Sequence, residues 1–510
     1  MYWATTPSSV ADNERVTRRG PGGMSQVPRY TSRMSDNELA LAPTHRHAPD
    51  WMILSIACIA QFMVVLDVSI VNVALPSMGR DLHFTYSSAQ WVINAYVLTF
   101  AGFLLLGGRA ADYFGRRHVY LAGIVVFTLA SIGAGVAQTG AEMVTLRAIQ
   151  GIGGAILSPA TLTIIVTTFQ GPRLPKAIGA WSAVAGAGGA AGALLGGILT
   201  GLASWRWIFF INVPFGIVAG GAAFLYLREM RNKDATSKLD VTGAVLVTGG
   251  LASVIYAVVN TTNHAWASSF TLSWLLAGLA LIVVFLFWER RVASHPLVPF
   301  RIFRSRPLSV ANGVMVLVGG AFFAMWYFLT YYFQLVLGYG ALRTGLYFVP
   351  MAIAIIAGAQ ISSRLLAKTG VRPLLQVGAT LATIGFFWLS LIERSSSYWG
   401  NVFLPAVVTA FAMGLLFAPL ATSATSSVDR ADAGLASGIL NTARQVGGSL
   451  ALAILATVAT DRTHSFLHAA QGVALTAGYQ RAFQISAVIT LVALGITFAL
   501  PKSSGRVSAH

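Results

Sequence analysis

An acid and a base that could meet lie deep inside apolar runs that are long enough to cross a membrane. Asp67 sits in Val64-Val65-Leu66-Asp67-Val68-Ser69-Ile70-Val71-Asn72, and Arg147 sits in Leu146-Arg147-Ala148-Ile149-Gln150-Gly151. A charge at the bilayer centre costs about 2.5–3.5 kcal/mol on insertion scales, so such a residue marks a functional site by default. Burial favours the neutral form of a carboxylic acid, whereas a neighbouring guanidinium favours the carboxylate. A carboxylate held between these two influences can take up and release a proton, which suits proton coupling. A structural ion pair or a helix-end cap is the competing reading. Counted from the starts of their runs at 1.5 Å per residue, Asp67 lies ~24 Å along one helix and Arg147 ~8 Å along another of opposite direction. In a hydrocarbon core ~30 Å thick those depths nearly coincide, so the two can pair if their helices are neighbours.

The rest of the chain supplies the walls for these residues. Of its 510 residues 55% are hydrophobic and 10% charged, whereas soluble domains carry about 25% charged residues. The apolar runs fall at about 51–75, 88–107, 118–137, 142–168, 176–201, 205–227, 241–260, 270–288, 309–336, 344–364, 373–392, 401–424, 437–459 and 482–500, each near the ~20 residues that a bilayer requires. Residues 1–50 are polar, lack the apolar core of a signal peptide, and read as a disordered tail. Of the 34 Lys and Arg, 26 fall in the tails and loops on one side and 6 on the other, with Arg147 and Arg444 inside runs. Basic loops stay cytoplasmic, so both termini are expected there. The net charge of +17 is then an orientation signal with some contact to anionic lipid, and it calls for no nucleic-acid partner. The single cysteine, Cys58, excludes an intramolecular disulfide.

Gly108-Arg109-Ala110-Ala111-Asp112-Tyr113-Phe114-Gly115-Arg116-Arg117 joins the second and third runs. Asp112 suits an ion pair or a helix N-cap. Gly108 and Gly115 permit close backbone approach or positive φ, and Arg116 and Arg117 belong to the basic side. Ser363 to Arg372 follows the tenth run in the same way: Gly370 aligns with Gly115 and Arg372 with Arg117, but Ala367 stands where Asp112 does. This repeat divides the chain into a six-helix half (51–227), a two-helix insert with linkers (228–308), a second six-helix half (309–500) and a short cytoplasmic tail (501–510). Internal repeats are the usual build of secondary transporters, with the substrate site between the halves.

The fifth run carries Gly179, Gly188, Gly192, Gly196 and Gly197. Gly188, Gly192 and Gly196 are four apart and form one smooth face for tight helix packing. Trp205 to Gly216 reads as an aromatic interface anchor. Candidates for a substrate cavity are Asn72, Trp91, Asn94, Tyr96, Gln150, Trp326, Tyr327, Tyr331, Gln334 and Arg444, with lipid-facing or interfacial aromatics as the alternative. Arg444 can snorkel to the surface, face the cavity, or pair with Asp429 or Asp432. No Gly-Lys dipeptide exists, so there is no ATP-binding phosphate loop, and no His or Cys cluster offers a metal or nucleophile. Neither an enzyme, a metal nor a cofactor is expected.

In this order, over about residues 51–500, the segments resemble the major facilitator superfamily and, within it, the fourteen-span drug/proton antiporter family. The island at Gly108–Arg117 resembles the superfamily loop G-x-L-A-D-R-x-G-R-K, with Ala110 for Leu, Tyr113 for Arg and Arg117 for Lys. Leu66-Asp67 to Pro76 resembles the first-span motif, and Arg147, Gln150, Gly151 and Gly153 the fourth-span motif. The Trp205–Gly216, Tyr332–Gly338 and Asn441–Gly448 segments are similar to segments of the fourteen-span group. The resemblance implies an all-α membrane fold of six, two and six helices that works by alternating access on the proton gradient. It implies a cytoplasmic gate at Gly108, Asp112, Gly115, Arg116 and Arg117, coupling through Asp67 and Arg147, and an antiport motif at the glycines of the fifth run. Two departures stand out. Gly192 is followed by Ala193 where the motif has proline, which removes the expected kink. Thr344–Arg364 holds no acid, which points to monocationic, neutral or anionic substrates.

The expected activity is proton-coupled export of lipophilic small molecules (drugs, antibiotics or toxic metabolites) by a bacterial, monomeric, multi-pass protein of the inner (plasma) membrane. An uptake facilitator or symporter and a non-transporting membrane sensor are the rival readings. For the topology, a phosphatase reporter fused after Gln138 is expected to be active and one fused at His510 inactive; the reverse pattern would overturn the assigned orientation.

Overall fold

The computed structural model describes residues 49–171, 173–227, 229, 239–261, 264–426, 428, 432–466 and 470–501. The tail expected at the N-terminus falls, up to residue 48, outside the described residues, as do Asp429 and everything beyond residue 501. Among the described residues all regular structure is helical. The long helices are α1 (Asp50–Asp81), α2 (Trp91–Phe114), α3 (Arg116–Val136), α4 (Gly140–Thr168), α5 (Arg173–Leu202), α6 (Asn212–Tyr226), α7 (Val241–Asn260), α8 (Ser269–Phe287), α9 (Arg306–Tyr331), α10 (Ala341–Thr369), α11 (Val371–Leu389), α12 (Phe403–Thr425), α13 (Ala433–His464) and α14 (Gln471–Thr497). Among the described residues twelve helical stretches are long and apolar enough to cross a membrane. Helix α11 is not among them, and α5 contributes the shorter apolar stretch Ala187–Leu202. Helix is the form that satisfies every backbone polar group within one segment, as hydrocarbon demands.

Local sequence sets where these helices begin. At α4, Thr139 Oγ1 accepts from Glu142 N at 3.2 Å while the Glu142 carboxylate accepts from Thr139 N at 3.3 Å, a reciprocal capping box. At α9, Ser305 caps the helix and Pro307 occupies its first turn, where the missing N–H costs nothing.

The packing repeats with a shift of eight helices. Helix α1 packs on α5 as α9 packs on α13, α2 on α4 as α10 on α12, and α3 on α6 as α11 on α14. The two sets meet along α2–α13 and α5–α10, which exchange roles under the same shift. Helices α7 and α8 pack on each other, and α7 leans on α2 and α13.

The two copies also share their sharpest turn. Gly115 links α2 to α3 at φ +96° and Gly370 links α10 to α11 at φ +78°, in the left-handed region that side chains resist. Two residues later the aligned arginines do one job. Arg117 Nη2 donates to Phe224 O at 2.6 Å near the end of α6 and stacks 5.1 Å from the Phe224 ring centre. Arg372 Nη1 donates to Leu500 O at 3.1 Å just past α14 and stacks 5.6 Å from the Phe498 ring centre. A cation at a helix C-terminus meets the negative end of its dipole and an unpaired carbonyl. Replacing Gly115 or Gly370 by Ala is expected to cost about 1–2 kcal/mol each in thermal unfolding, the price of left-handed backbone. Gly221→Ala, in open space on α6, should stay within about 0.5 kcal/mol as a control; equal effects at all three sites would refute the argument.

Candidate functional site

Asp67 and Arg147 meet between α1 and α4. Arg147 Nη1 lies 2.5 Å from Asp67 Oδ2, with the two side chains 1% and 0% exposed. One turn along α4, Gln150 accepts from Arg147 Nη1 at 2.7 Å and donates through Nε2 to Asp67 Oδ1 at 2.8 Å. Arg147 Nε donates to Val92 O of α2 at 3.0 Å, and its guanidinium lies 4.3 Å from the Tyr96 ring centre. Asn212 at the start of α6 donates to Asp67 Oδ1 at 3.2 Å and to Ser131 Oγ of α3 at 3.0 Å. Five helices are therefore fastened at one buried point. In a low-dielectric interior a charge pair is stable only when its remaining donors and acceptors are also satisfied, and Gln150, Asn212 and Val92 O do this.

Beside this cluster lies a central cavity of about 990 Å³, at the upper end of the usual size for small-molecule sites. Asp67 is not on its wall, but its α1 neighbours Val68, Ser69 and Asn72 are. Opposite them stand Phe322 and Trp326 of α9, Met413 and Phe417 of α12, and Asn441 and Arg444 of α13. Gly108, Arg109, Leu297 and Asp432 line the end nearest the Gly115 turn. There Arg109 donates to the carbonyls of His295 and Pro296, and Asp432 pairs with Arg301 at 3.0 Å.

At the other end the bundle is shut. Gln334 Nε2 donates to Val73 O at 2.8 Å. A β-carbon on Gly197 would lie 2.7 Å from Ala341 O, and one on Gly345 would lie 2.6 Å from Ala193 O. Ala193, standing where the antiporter motif has proline, thus forms part of this α5–α10 seam, and α5 runs through it unbroken. Gly188, Gly192 and Gly196 face α1, where a β-carbon on Gly192 would reach 2.5 Å from Ser69 Cβ and one on Gly196 would reach 2.7 Å from Ile70 O. Gly179 faces open space.

The expected substrate-cavity residues fall into two groups. Asn72, Trp326 and Arg444 line the cavity, while Trp91, Asn94, Gln150, Tyr331 and Gln334 do not. Trp91 packs 6.2 Å from Tyr256 of α7, Asn94 is buried, Gln150 belongs to the ion cluster, and the Tyr331 ring lies tilted 4.7 Å from that of Tyr327. Arg444 hydrogen-bonds Asn441 rather than Asp432, whose partner is Arg301. At the expected gate Gly108 lines the cavity and Gly115 makes the turn. Arg117 caps α6, Arg116 is half-buried at the start of α3, and the Asp112 side chain falls outside the described residues. Sequence reasoning passed over Ser131, took Arg109 only as one of the loop arginines, and read Asn212 only as part of an aromatic anchor. Asn212 carried a signal, a lone amide within an aromatic run.

A family model described as the Major Facilitator Superfamily matches residues 57–452. The cephamycin export protein CmcT of Amycolatopsis lactamdurans is 41% identical over 451 residues, covering 88% of this chain and 92% of that protein. The puromycin resistance protein pur8 of Streptomyces alboniger is 38% identical over 425 residues, covering 82% and 83%. Among solved structures, the POT family transporter PepTSo superposes with a TM-score of 0.64 at 16% identity, covering 88% of this chain and 99% of that one, a likeness of fold.

The cluster makes a stability prediction. Arg147→Ala leaves Asp67 buried without its cation and is expected to cost about 3–5 kcal/mol in unfolding. Adding Asp67→Asn to it should recover part of that loss, because no unpaired charge remains. A double variant no more stable than Arg147→Ala would show that the pair is not the source of the effect.

Proposed function

Because the chain belongs to the Major Facilitator Superfamily of membrane transporters, we propose that it exports lipophilic small molecules across the plasma membrane in exchange for protons, with Asp67 as the proton-carrying group. It is a multi-pass membrane protein with a small-molecule substrate. The reading adds the direction, the cargo and the coupling ion, and the observation that carries it is the placement of the Asp67–Arg147 pair directly behind a cavity wall built from the same helix. Similarity to proteins named for cephamycin export and puromycin resistance supports the direction and the cargo.

The mechanism follows from the contacts. The cavity mouth lies at the end with the basic loops, which are cytoplasmic by the charge rule, so substrate loads from inside the cell and both termini lie there. Protonation neutralises Asp67 and removes the counter-charge of Arg147. The guanidinium then keeps Val92 O, Gln150 Oε1 and the faces of Tyr96 and Phe209, none of them charged. Helix α1 loses its strongest tie to α4, and α1 also carries Val68, Ser69 and Asn72 on the wall. Proton binding is in this way tied to the shape of the substrate site. Alternating access opens the α5–α10 seam and closes the mouth, with each state stabilised by a different ligand. The proton gradient is the only energy source, no cofactor is involved, and the unit is a monomer.

The test uses everted membrane vesicles with an acidified lumen, a panel of lipophilic dyes, and simultaneous readings of dye uptake and lumenal pH. Substrate-induced proton release is expected in the native chain, to vanish in Asp67→Asn and to persist in Asp67→Glu. Release that survives in Asp67→Asn would remove Asp67 from the coupling role.

A further inference from the structure

Arg444 is the deepest charge facing the cavity. It lies on α13, which begins at Ala433, ~16 Å along the helix at 1.5 Å per residue. Its stem crosses a notch in α9, where a β-carbon on Gly319 would come within 3.1 Å of Arg444 Cγ. Its Nη2 donates to Asn441 Oδ1 at 2.8 Å, and its guanidinium lies 5.9 Å from the Phe417 ring centre. Neither neighbour carries a charge, and among the described residues no carboxylate pairs with it. The other charges at the cavity lie nearer its mouth or behind its wall. Asp432 holds Arg301, Arg109 is held by two backbone carbonyls, and Asp67 sits behind the wall with Arg147. The deepest charge on the cavity wall is therefore a positive one, that of Arg444, and it has no counter-charge among the described residues.

A guanidinium at that depth is costly without a partner. The protein supplies one amide oxygen and no counter-charge. Resting on the export reading, we propose that the cavity is shaped for an amphiphile bearing one carboxylate-type anionic group, which pairs with Arg444 while the apolar body lies against Phe322, Phe323 and Trp326. The planar guanidinium fork matches a carboxylate in two parallel hydrogen bonds, a geometry that an ammonium could not reproduce. The same charge disfavours lipophilic cations. Arg444 is thus the residue that sets substrate charge, and Asn441 orients it.

The experiment uses the full-length protein in lipid nanodiscs and three dansyl probes that differ in one group. Dansylglycine carries a carboxylate, dansylglycinamide is neutral, and a dansyl trimethylammonium conjugate is a cation. In the native chain fluorescence titration is expected to show the carboxylate binding at least about tenfold more tightly than the amide, with the cation weakest. Arg444→Gln should bring the carboxylate-to-amide ratio close to one while amide binding persists, and that persistence reports an intact cavity. Arg444→Lys, a second variant should Arg444→Gln bind no probe, is expected to keep a reduced preference. The proposal is overturned if dansylglycine does not bind, if the cation binds most tightly, or if the ratio is unchanged in both variants. Charge-selective binding without proton-coupled flux in everted vesicles would overturn the export reading and leave this inference standing. Flux with no charge selectivity would do the reverse.

Discussion

A charged pair surrounded by hydrocarbon has no water to complete its hydrogen bonds, so the protein has to complete them. The Asp67–Arg147 pair dictates much of the first six helices for this reason. Gln150 bridges its two members, Asn212 reaches it from α6, Ser131 holds Asn212 from α3, and Val92 O closes it from α2. Each of these partners is fixed in place by one need, and none could be removed without leaving a buried polar group unpaired. The same requirement makes the cluster responsive. A change of charge at Asp67 acts directly on the three groups that meet its two carboxylate oxygens, from Arg147, Gln150 and Asn212, and through them on Val92 O and Ser131.

The two halves share a frame and differ in chemistry. Equivalent helix pairs, equivalent positive-φ glycines and equivalent arginine caps recur eight helices apart. Close backbone contact serves both: Gly192 and Gly196 seat α5 on α1, and a β-carbon on Gly320 would lie 2.8 Å from Gly447 O where α9 meets α13. The first half then spends its buried charges on each other and keeps them off the cavity wall. The second half places Arg444 on the wall with an amide for company. In the proposed function, a binding site between such halves has one side backed by the proton-carrying pair and another that presents a fixed positive charge. The proposed coupling pair and the proposed recognition residue are thus separated in space, and α1, which carries Asp67 and also Val68, Ser69 and Asn72 of the wall, lies between them.

The opposite ends of the cavity are built by different means. The α5–α10 seam is backbone against backbone, made possible by Gly197 and Gly345, and it can part without exposing a charge. The mouth is edged by polar groups, with Arg109 on the His295 and Pro296 carbonyls and Asp432 on Arg301. Such contacts re-form readily with water when the mouth moves, as a surface exposed to the aqueous phase requires.

The helices and their approximate limits were legible in the sequence because a bilayer imposes a length and a polarity on every span. The shared depth of Asp67 and Arg147, and the alignment of Gly370 with Gly115, could be read for similar reasons: helical rise is constant, and left-handed backbone selects glycine. The rotation of each helix could not be read. In a soluble protein the polar face marks the outside, but here lipid, neighbouring helix and cavity are all apolar, so no periodicity tells Asn72, which faces the cavity, from Asn94, which is buried away from it. Asn212 escaped notice because its role depends on α6 lying across α1 and α3. Arg444 had three environments open to it along the chain, and only the packing of α13 on α9, with Asp432 turned to Arg301, leaves it facing the cavity. Sequence alone thus determined which residues lie within the membrane and how deep, because depth is a one-dimensional property of an apolar helix. Tertiary structure alone decided which of them meet, because that depends on helix rotation and neighbourhood, and these are set by packing across the whole bundle.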